Sequence, residues 1–298
     1  MSIVTLVLPD FLLIALGWCL LHLLKYKAEF FTTAEKLVYF VLFPALLFVS
    51  IARAPLSLGD ASALMLATLT LMACGIALAW LAGPVLKADP SVQASLAQCA
   101  YRFNTYMGLS ISLSLAGKDG QSVMAIIVGC AVPLANIAAV TGLAKRQDTR
   151  ILSELFRNPL IVATVAGLMC NLSGIELPAF AMDTLQRLGA CAIALGLICV
   201  GATLSLDGLR AAAHVMSWMI SVRLLIMPVV ALAIAWLFPL APLEQQMLLL
   251  FSTLPTASSA YILAVRMGGD GRSVAATTSL TTLLSALTIP LWLHFSPF

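Results

Sequence analysis

Ten stretches of this chain run for about 20 residues with few charges in them, at about 3–24, 33–53, 61–86, 92–117, 121–144, 158–175, 180–205, 211–238, 243–268 and 273–295. Each is as long as a helix must be to cross the hydrocarbon of a bilayer, and about twice the length of a membrane strand. That layer holds no water, so every backbone amide has to bond within the segment, which a helix achieves. Composition agrees: 61% of residues are hydrophobic, 10% are charged and the mean hydropathy is +1.04, outside the range of soluble domains. The sequence predicts an all-α polytopic membrane protein whose first partner is the lipid bilayer. A net charge of +3, dispersed among short loops, offers no basic surface to nucleic acid.

Basic residues orient the spans, because Lys and Arg near span ends are retained in the cytoplasm. With ten spans, one face holds Lys25, Lys27, Lys36, Lys87, Lys145, Arg146, Arg150, Arg157, Arg210, Arg266 and Arg272. The other holds Arg53, Lys118 and Arg187, and Arg102 and Arg223 fall inside spans. Eleven against three puts both termini and the Ala54-to-Gly59 loop outside, and the Lys145-to-Arg157 loop in the cytoplasm. No Lys or Arg precedes Lys25, so the first run is expected to stay as a span and not to be removed as a signal peptide. The seven cysteines stand singly along apolar runs without metal-ligand spacing and read as small buried hydrophobes. No metal or cofactor is expected.

An internal repeat divides the chain. Gly117-Lys118-Asp119-Gly120-Gln121-Ser122-Val123 aligns with Gly268-Gly269-Asp270-Gly271-Arg272-Ser273-Val274 at an offset of 151, and the same offset sets Asn104-Thr105 on Pro255-Thr256. Each half, 1–147 and 148–298, then has five spans. An odd number reverses the second copy, so the halves form inverted repeats.

The fourth and ninth spans both read as broken helices. Pro255 removes a backbone donor in mid-span and is followed by Thr256, Ala257, Ser258 and Ser259. In the fourth span, Asn104 and Thr105 bond their own backbone in non-helical conformations, with Tyr106 and Gly108 close by, and Gly108 tolerates a turn. Backbone freed in hydrocarbon costs several kcal/mol per unpaired group, so such breaks survive only where protein or a watery cavity surrounds them. Two half-helices that start at one crossing point two positive N-termini at it, which favours an anion. The candidate binding residues are Arg102, Asn104, Thr105, Tyr106, Gly108, Asn136, Pro255, Thr256, Ala257, Ser258 and Ser259. Among them, Arg102 reads equally well as a cap on the C-terminal end of the first half-helix, and Asn136, like Asn171, as interhelical glue. Arg223 is a costly charge inside a span that snorkelling or a carbonyl could satisfy. Asp10 is the one carboxylate read as well inside a span, near its outer end. Pro44, Pro133, Pro228 and Pro290 are expected to be kinks, and His22, His214 and His294 to sit at the interfaces.

On these residues the chain resembles the auxin efflux carrier family, which includes plant PIN proteins and bacterial malonate transporters. The resemblance covers the whole length and rests on Phe103-Asn104-Thr105 with Gly108, on Asn158-Pro159, and on Leu254-Pro255-Thr256-Ala257 with Ser259-Ala260-Tyr261. It implies a fold similar to the bile-acid symporters and sodium/proton antiporters. Spans 1, 2, 6 and 7 would form a scaffold, spans 3–5 and 8–10 a transport part, and crossed broken helices 4 and 9 would bind a carboxylate. Ser110 and Ser258 depart from the pattern, since many members carry Pro near the first position and others at the second.

The expected function is that of a secondary transporter in a bacterial inner membrane, moving a small organic anion such as malonate by a rocking or elevator mechanism. Two other readings remain open: a sodium- or proton-coupled carboxylate symporter or antiporter, and a membrane sensor without transport. An enzyme is not expected, because Ser258 and Ser259 have no His or Lys in a matched span to activate them. Oligomeric state is open, a homodimer included.

Overall fold

The computed structural model describes residues 3–53, 58–143, 159–175, 177–209 and 212–296. The Lys145-to-Arg157 loop, Asn158, Arg210 and residues 54–57 of the outer loop lie outside the described residues. What is described is helical, with no strand among the described residues. The helices are α1 (Ile3–His22), α2 (Ala28–Leu37), α3 (Phe43–Ala52), α4 (Leu58–Leu86), α5 (Pro90–Tyr101), α6 (Thr105–Leu143) and α7 (Pro159–Ser173). They continue as α8 (Ala179–Ala202), α9 (Ala213–Ser221), α10 (Met227–Leu237), α11 (Pro242–Thr253), α12 (Ser259–Arg266) and α13 (Gly271–His294). Among the described residues, seven helical runs are long and apolar enough to cross a membrane. The chain is a polytopic helical membrane protein.

Two of those runs contain a π turn followed by proline. Val38–Leu42 joins α2 to α3 just before Pro44, and Val222–Ile226 joins α9 to α10 just before Pro228. Proline cannot donate to the carbonyl one turn back, and a widened turn absorbs the missing bond. At the second site the freed Leu224 carbonyl accepts from the Trp292 indole at 2.9 Å. The second run therefore begins at Ala28, five residues earlier than its expected start at 33. The earlier start brings Glu29 into the helix and sets Glu35 seven residues from its first residue.

The 39 residues of α6 are two helices. Ala116 (φ −136°) and Gly117 (φ 63°) leave helical geometry, and beyond them the chain folds back. Gln121 Nε2 donates to the Leu109 carbonyl at 3.3 Å, although a continuous helix would hold residues twelve apart at about 18 Å. Gly268, the repeat mate of Gly117, also has positive φ, 71°, where glycine is at ease and a side chain is strained.

Packing falls into two groups. In one, α1 lies along α8, and α3 against α7 and α8. In the other, α4, α5 and α6 pack with one another and with α10 and α11. Contacts from α6 to α1, α3 and α8 join the groups.

Candidate functional site

The two breaks meet. On one side α5 begins with Pro90, behind an Asp89 cap whose carboxylate accepts from the Ser91 and Val92 amides at 2.8 and 3.3 Å. It stops at Tyr101. On the other, α11 begins with Pro242, its first turn closed by Glu244, which accepts from the Ala241 amide at 2.8 Å. It stops at Thr253. Both half-helices are 12 residues long. Non-helical residues follow each, Arg102 to Asn104 and Leu254 to Ala257, before α6 and α12 start, with Arg102 and Leu254 extended. The Asn104 amide donates to the Pro255 carbonyl at 2.8 Å, so the two positions that the repeat makes equivalent touch each other.

Each exposed helix end is satisfied by a different device. Asn104 is the N-cap of α6, its Oδ1 accepting from the Met107 amide at 3.2 Å. The amides of Thr105 and Tyr106 begin a helix and have no acceptor within it. At the end of α11, the guanidinium of Arg223 donates from Nε to the Leu254 carbonyl (2.5 Å) and from Nη2 to the Phe251 carbonyl (2.8 Å). Arg223 is fully buried, and its charge balances the negative end of that helix. The Phe251 ring packs edge-on against Phe103 at 4.4 Å, which joins the hydrophobic linings of the two breaks. Thr256 bridges them as well: its hydroxyl donates to the Cys99 carbonyl at 2.7 Å, and its amide to Thr281 Oγ1 at 3.2 Å.

Two buried donors at this crossing, Asn104 Nδ2 and Arg223 Nη1, have no partner among the described residues. Such groups cost about 1–3 kcal/mol each when left unsatisfied, more for a charged one.

The sequence candidates separate accordingly. Asn104, Thr105, Pro255, Thr256, Ala257, Ser258 and Ser259 come together at the breaks. Arg102 and Asn136 pair with each other, Nη2 to Oδ1 at 2.8 Å, and Arg102 also reaches Gln98 Oε1 at 3.5 Å. Tyr106 turns toward the other helix group, edge-on to Phe43 at 5.1 Å and flat against Gly196, where a Cβ would come within 2.7 Å of the ring. Gly108 does not make the turn. It lies inside α6, and its lack of a side chain admits Leu254, whose Cδ1 would be 2.8 Å from a Cβ there. The Thr256 amide, expected to face the crossing, is spent on Thr281. Asn171 ties α7 to the end of α3 through the Ile51 and Ala52 carbonyls, both at 3.1 Å.

Sequence reasoning left three residues without a structural role. Thr281 belongs to a row of buried hydroxyl residues on α13, a signal visible as the Ser/Thr density of that span. Glu35 accepts from Ser258 Oγ at 3.4 Å. Seven residues into its helix, it is a second carboxylate within the membrane-spanning run beside Asp10. The third is Ser110, bonded to Asp10.

Known proteins add a family to this geometry. The profile of the membrane transport protein family matches residues 2–293. The chain belongs to that family, that of the auxin efflux carriers. A family member from Rhizobium meliloti, named "Putative malonate transporter", is 25% identical over 300 residues that cover 97% of this chain and 94% of the relative. An uncharacterized transporter from Methanothermobacter thermautotrophicus is 27% identical, covering 96% of each chain. Another, from Methanocaldococcus jannaschii, is 24% identical over 89% of this chain and 90% of its own. The family is one of transporters. Within it, the motifs Phe103-Asn104-Thr105 and Leu254-Pro255-Thr256-Ala257 of this chain fall on its two helix breaks.

Proposed function

We propose that the chain is a secondary transporter that carries a small organic anion, a mono- or dicarboxylate of the malonate class, across the inner membrane. The observation that carries this reading is Asn104 Nδ2, a buried amide donor without a protein partner. It lies at the joint where two helices begin. Each N-terminus contributes roughly half a positive charge, and Arg223 adds a whole one while its Nη1 lacks an acceptor. A carboxylate supplies the acceptors and the negative charge that this arrangement lacks. The relative named for malonate favours the same class.

The layout that suits this function is ten spans in two inverted repeats, 1–147 and 148–298. Three observations support it. The paired half-helices α5 and α11 have equal length. The left-handed glycines Gly117 and Gly268 stand 151 residues apart. Asn104 bonds Pro255, as residues near a two-fold axis would. Spans 1, 2, 6 and 7 (α1, α2 with α3, α7 and α8) then form the scaffold, and the remaining helices the part that rocks or slides against it. The basic bias puts both termini outside.

Thermal shift of the purified protein over a panel of mono- and dicarboxylates tests the binding claim, since a ligand of the folded state raises its melting temperature. Counterflow of the best ligand in proteoliposomes then tests transport. A carboxylate that stabilises and exchanges is expected; a ligand that binds without flux would make the protein a sensor, and stabilisation by cations alone would refute the anion site.

A further inference from the structure

Asp10 is a buried acid with a use that the anion site does not explain. Its side chain is 3% exposed. Oδ1 accepts from the Ser110 hydroxyl at 2.5 Å, and Oδ2 is buried without a partner. Seven residues from the start of α1 and seven before Gly117, the pair lies about 10 Å along each helix.

Among the described residues, the surroundings hold no cation against it. Three elements pack on α1: α6, α8 and α13. Their titratable and charged residues are Tyr106, Lys118, Asp119 and Cys130 on α6, Asp183, Arg187, Cys191 and Cys199 on α8, and Arg272 and His294 on α13; Tyr106 is an uncharged phenol turned toward Phe43 and Gly196. On α1 itself stand Cys19 and His22. Glycine contacts fix the register with α8, since a Cβ on Gly17 would meet Ile198 and one on Gly201 would meet Ile14. The α2–α3 run lies antiparallel to α8, with Phe31 at Cys199 and Arg53 at Gln186. One short loop before α2, α1 runs in the same direction as α8, so Asp183 and Arg187 stand roughly 10 Å or more beyond the level of Asp10. Lys118 and Asp119 lie past the Gly117 turn, about 12 Å along α6 from Ser110. Arg272 and His294 occupy opposite ends of α13, and His294 sits edge-on to Phe295. Ser110 is the hydrogen-bond partner that Asp10 has.

An ionised carboxylate in this setting would face the full cost of a buried charge, whereas the un-ionised acid leaves at most one hydroxyl unsatisfied. We propose that Asp10 is a proton-binding site, loaded in the arrangement described here and linked through Ser110 to the position of α6. This inference rests on the transport reading above. In that reading α1 is scaffold and α6 moves. Displacing Ser110 wets the carboxyl, its Oδ2–H proton passes to water, and the carboxylate takes a proton back before the contact reforms. No bond other than O–H is made or broken. The second departing half-helix meets an acid in the same way, Ser258 against Glu35 at 3.4 Å.

Infrared spectra of the protein in nanodiscs at neutral pH, with isotope-labelled aspartate, test the site without any substrate. The wild type should show the C=O stretch of an un-ionised aspartic acid, and Asp10→Asn should lack it. Ser110→Ala should keep the band and move it to higher frequency, because its hydrogen-bond donor is gone. Absence of an Asp10-dependent band in folded wild type would overturn the proposal. In proteoliposomes, malonate uptake under an imposed acid-outside gradient is divided by malonate counterflow without one. That ratio should rise severalfold in the wild type, collapse with protonophore, and fall to about one in Asp10→Asn. An unchanged ratio in Asp10→Asn, or a response to sodium in place of protons, would refute coupling through this residue. No counterflow in the wild type would instead count against the anion reading, while the infrared band still decides whether Asp10 holds its proton.

Discussion

The break after α5 and the break after α11 do the same thing to the backbone by opposite means. The first is held by its own residue: Asn104 caps α6 with Oδ1 and joins the other break through its amide. The second is imposed by Pro255 and held from elsewhere, by Arg223 on the π turn before α10, by Thr281 on α13 and by the Cys99 carbonyl. A self-capping break keeps a donor, Nδ2, for something else; a break braced by distant residues has most of its groups engaged. On the proposed function, this difference puts ligand contact mainly at the first break and rigidity mainly at the second.

Removing the brace should have the largest effect. Arg223→Met deletes two charge-assisted bonds to the Phe251 and Leu254 carbonyls, a loss of about 3 kcal/mol in stability, and a positive charge from the crossing. Thermal unfolding in detergent would measure it; a loss under about 1 kcal/mol would mean the second break holds itself, like the first. Next comes Asn104. Asn104→Ala should weaken carboxylate binding by about 1–3 kcal/mol. Asn104→Asp separates the two roles of the side chain, since Asp caps a helix as well as Asn does but brings no donor and adds a negative charge. The helix cap should be kept, at the cost of a carboxylate in a buried site, while affinity falls at least as far as in the alanine variant. The smallest effect belongs to Thr281→Val, which leaves the Thr256 amide without its acceptor and should cost about 1 kcal/mol of stability, with little change in affinity. A larger change in affinity than in stability there would move Thr281 into the binding site.

Much of this was legible in the sequence. Spans are readable because bilayer thickness sets a length and composition that nothing else imitates, and the breaks because Pro255 and Asn104 carry local chemistry that opposes a helix. Partners across the fold were not. Arg223 announced itself as an expensive charge, but its target 31 residues on depends on how α10 lies against α11, which no local period encodes. Glu35 was missed because the helix starts at Ala28, inside a stretch where Lys25, Lys27 and Glu29 look like loop. Gly108 was assigned to a turn when its purpose is close approach to Leu254. Both are available to glycine, and only packing distinguishes them. Ser110 and Ser258 registered as departures from a family pattern, and gain meaning only beside Asp10 and Glu35.

The central claim is that the anion site needs both breaks open, with the Pro255 break holding the one at Asn104 in place, and Pro255→Ala tests it most directly. Alanine restores a backbone donor and improves local helix preference by about 3 kcal/mol, which favours closing the ladder across Leu254 to Ser258. Closing it would draw the Pro255 carbonyl from Asn104 and the Leu254 carbonyl from Arg223. Affinity for the best carboxylate from the thermal-shift panel, measured by titration on purified variant and wild type at temperatures of equal stability, should fall tenfold or more, about 1.4 kcal/mol. Equal affinity in the two proteins would mean that Pro255 is a kink in a membrane helix and that the anion binds elsewhere.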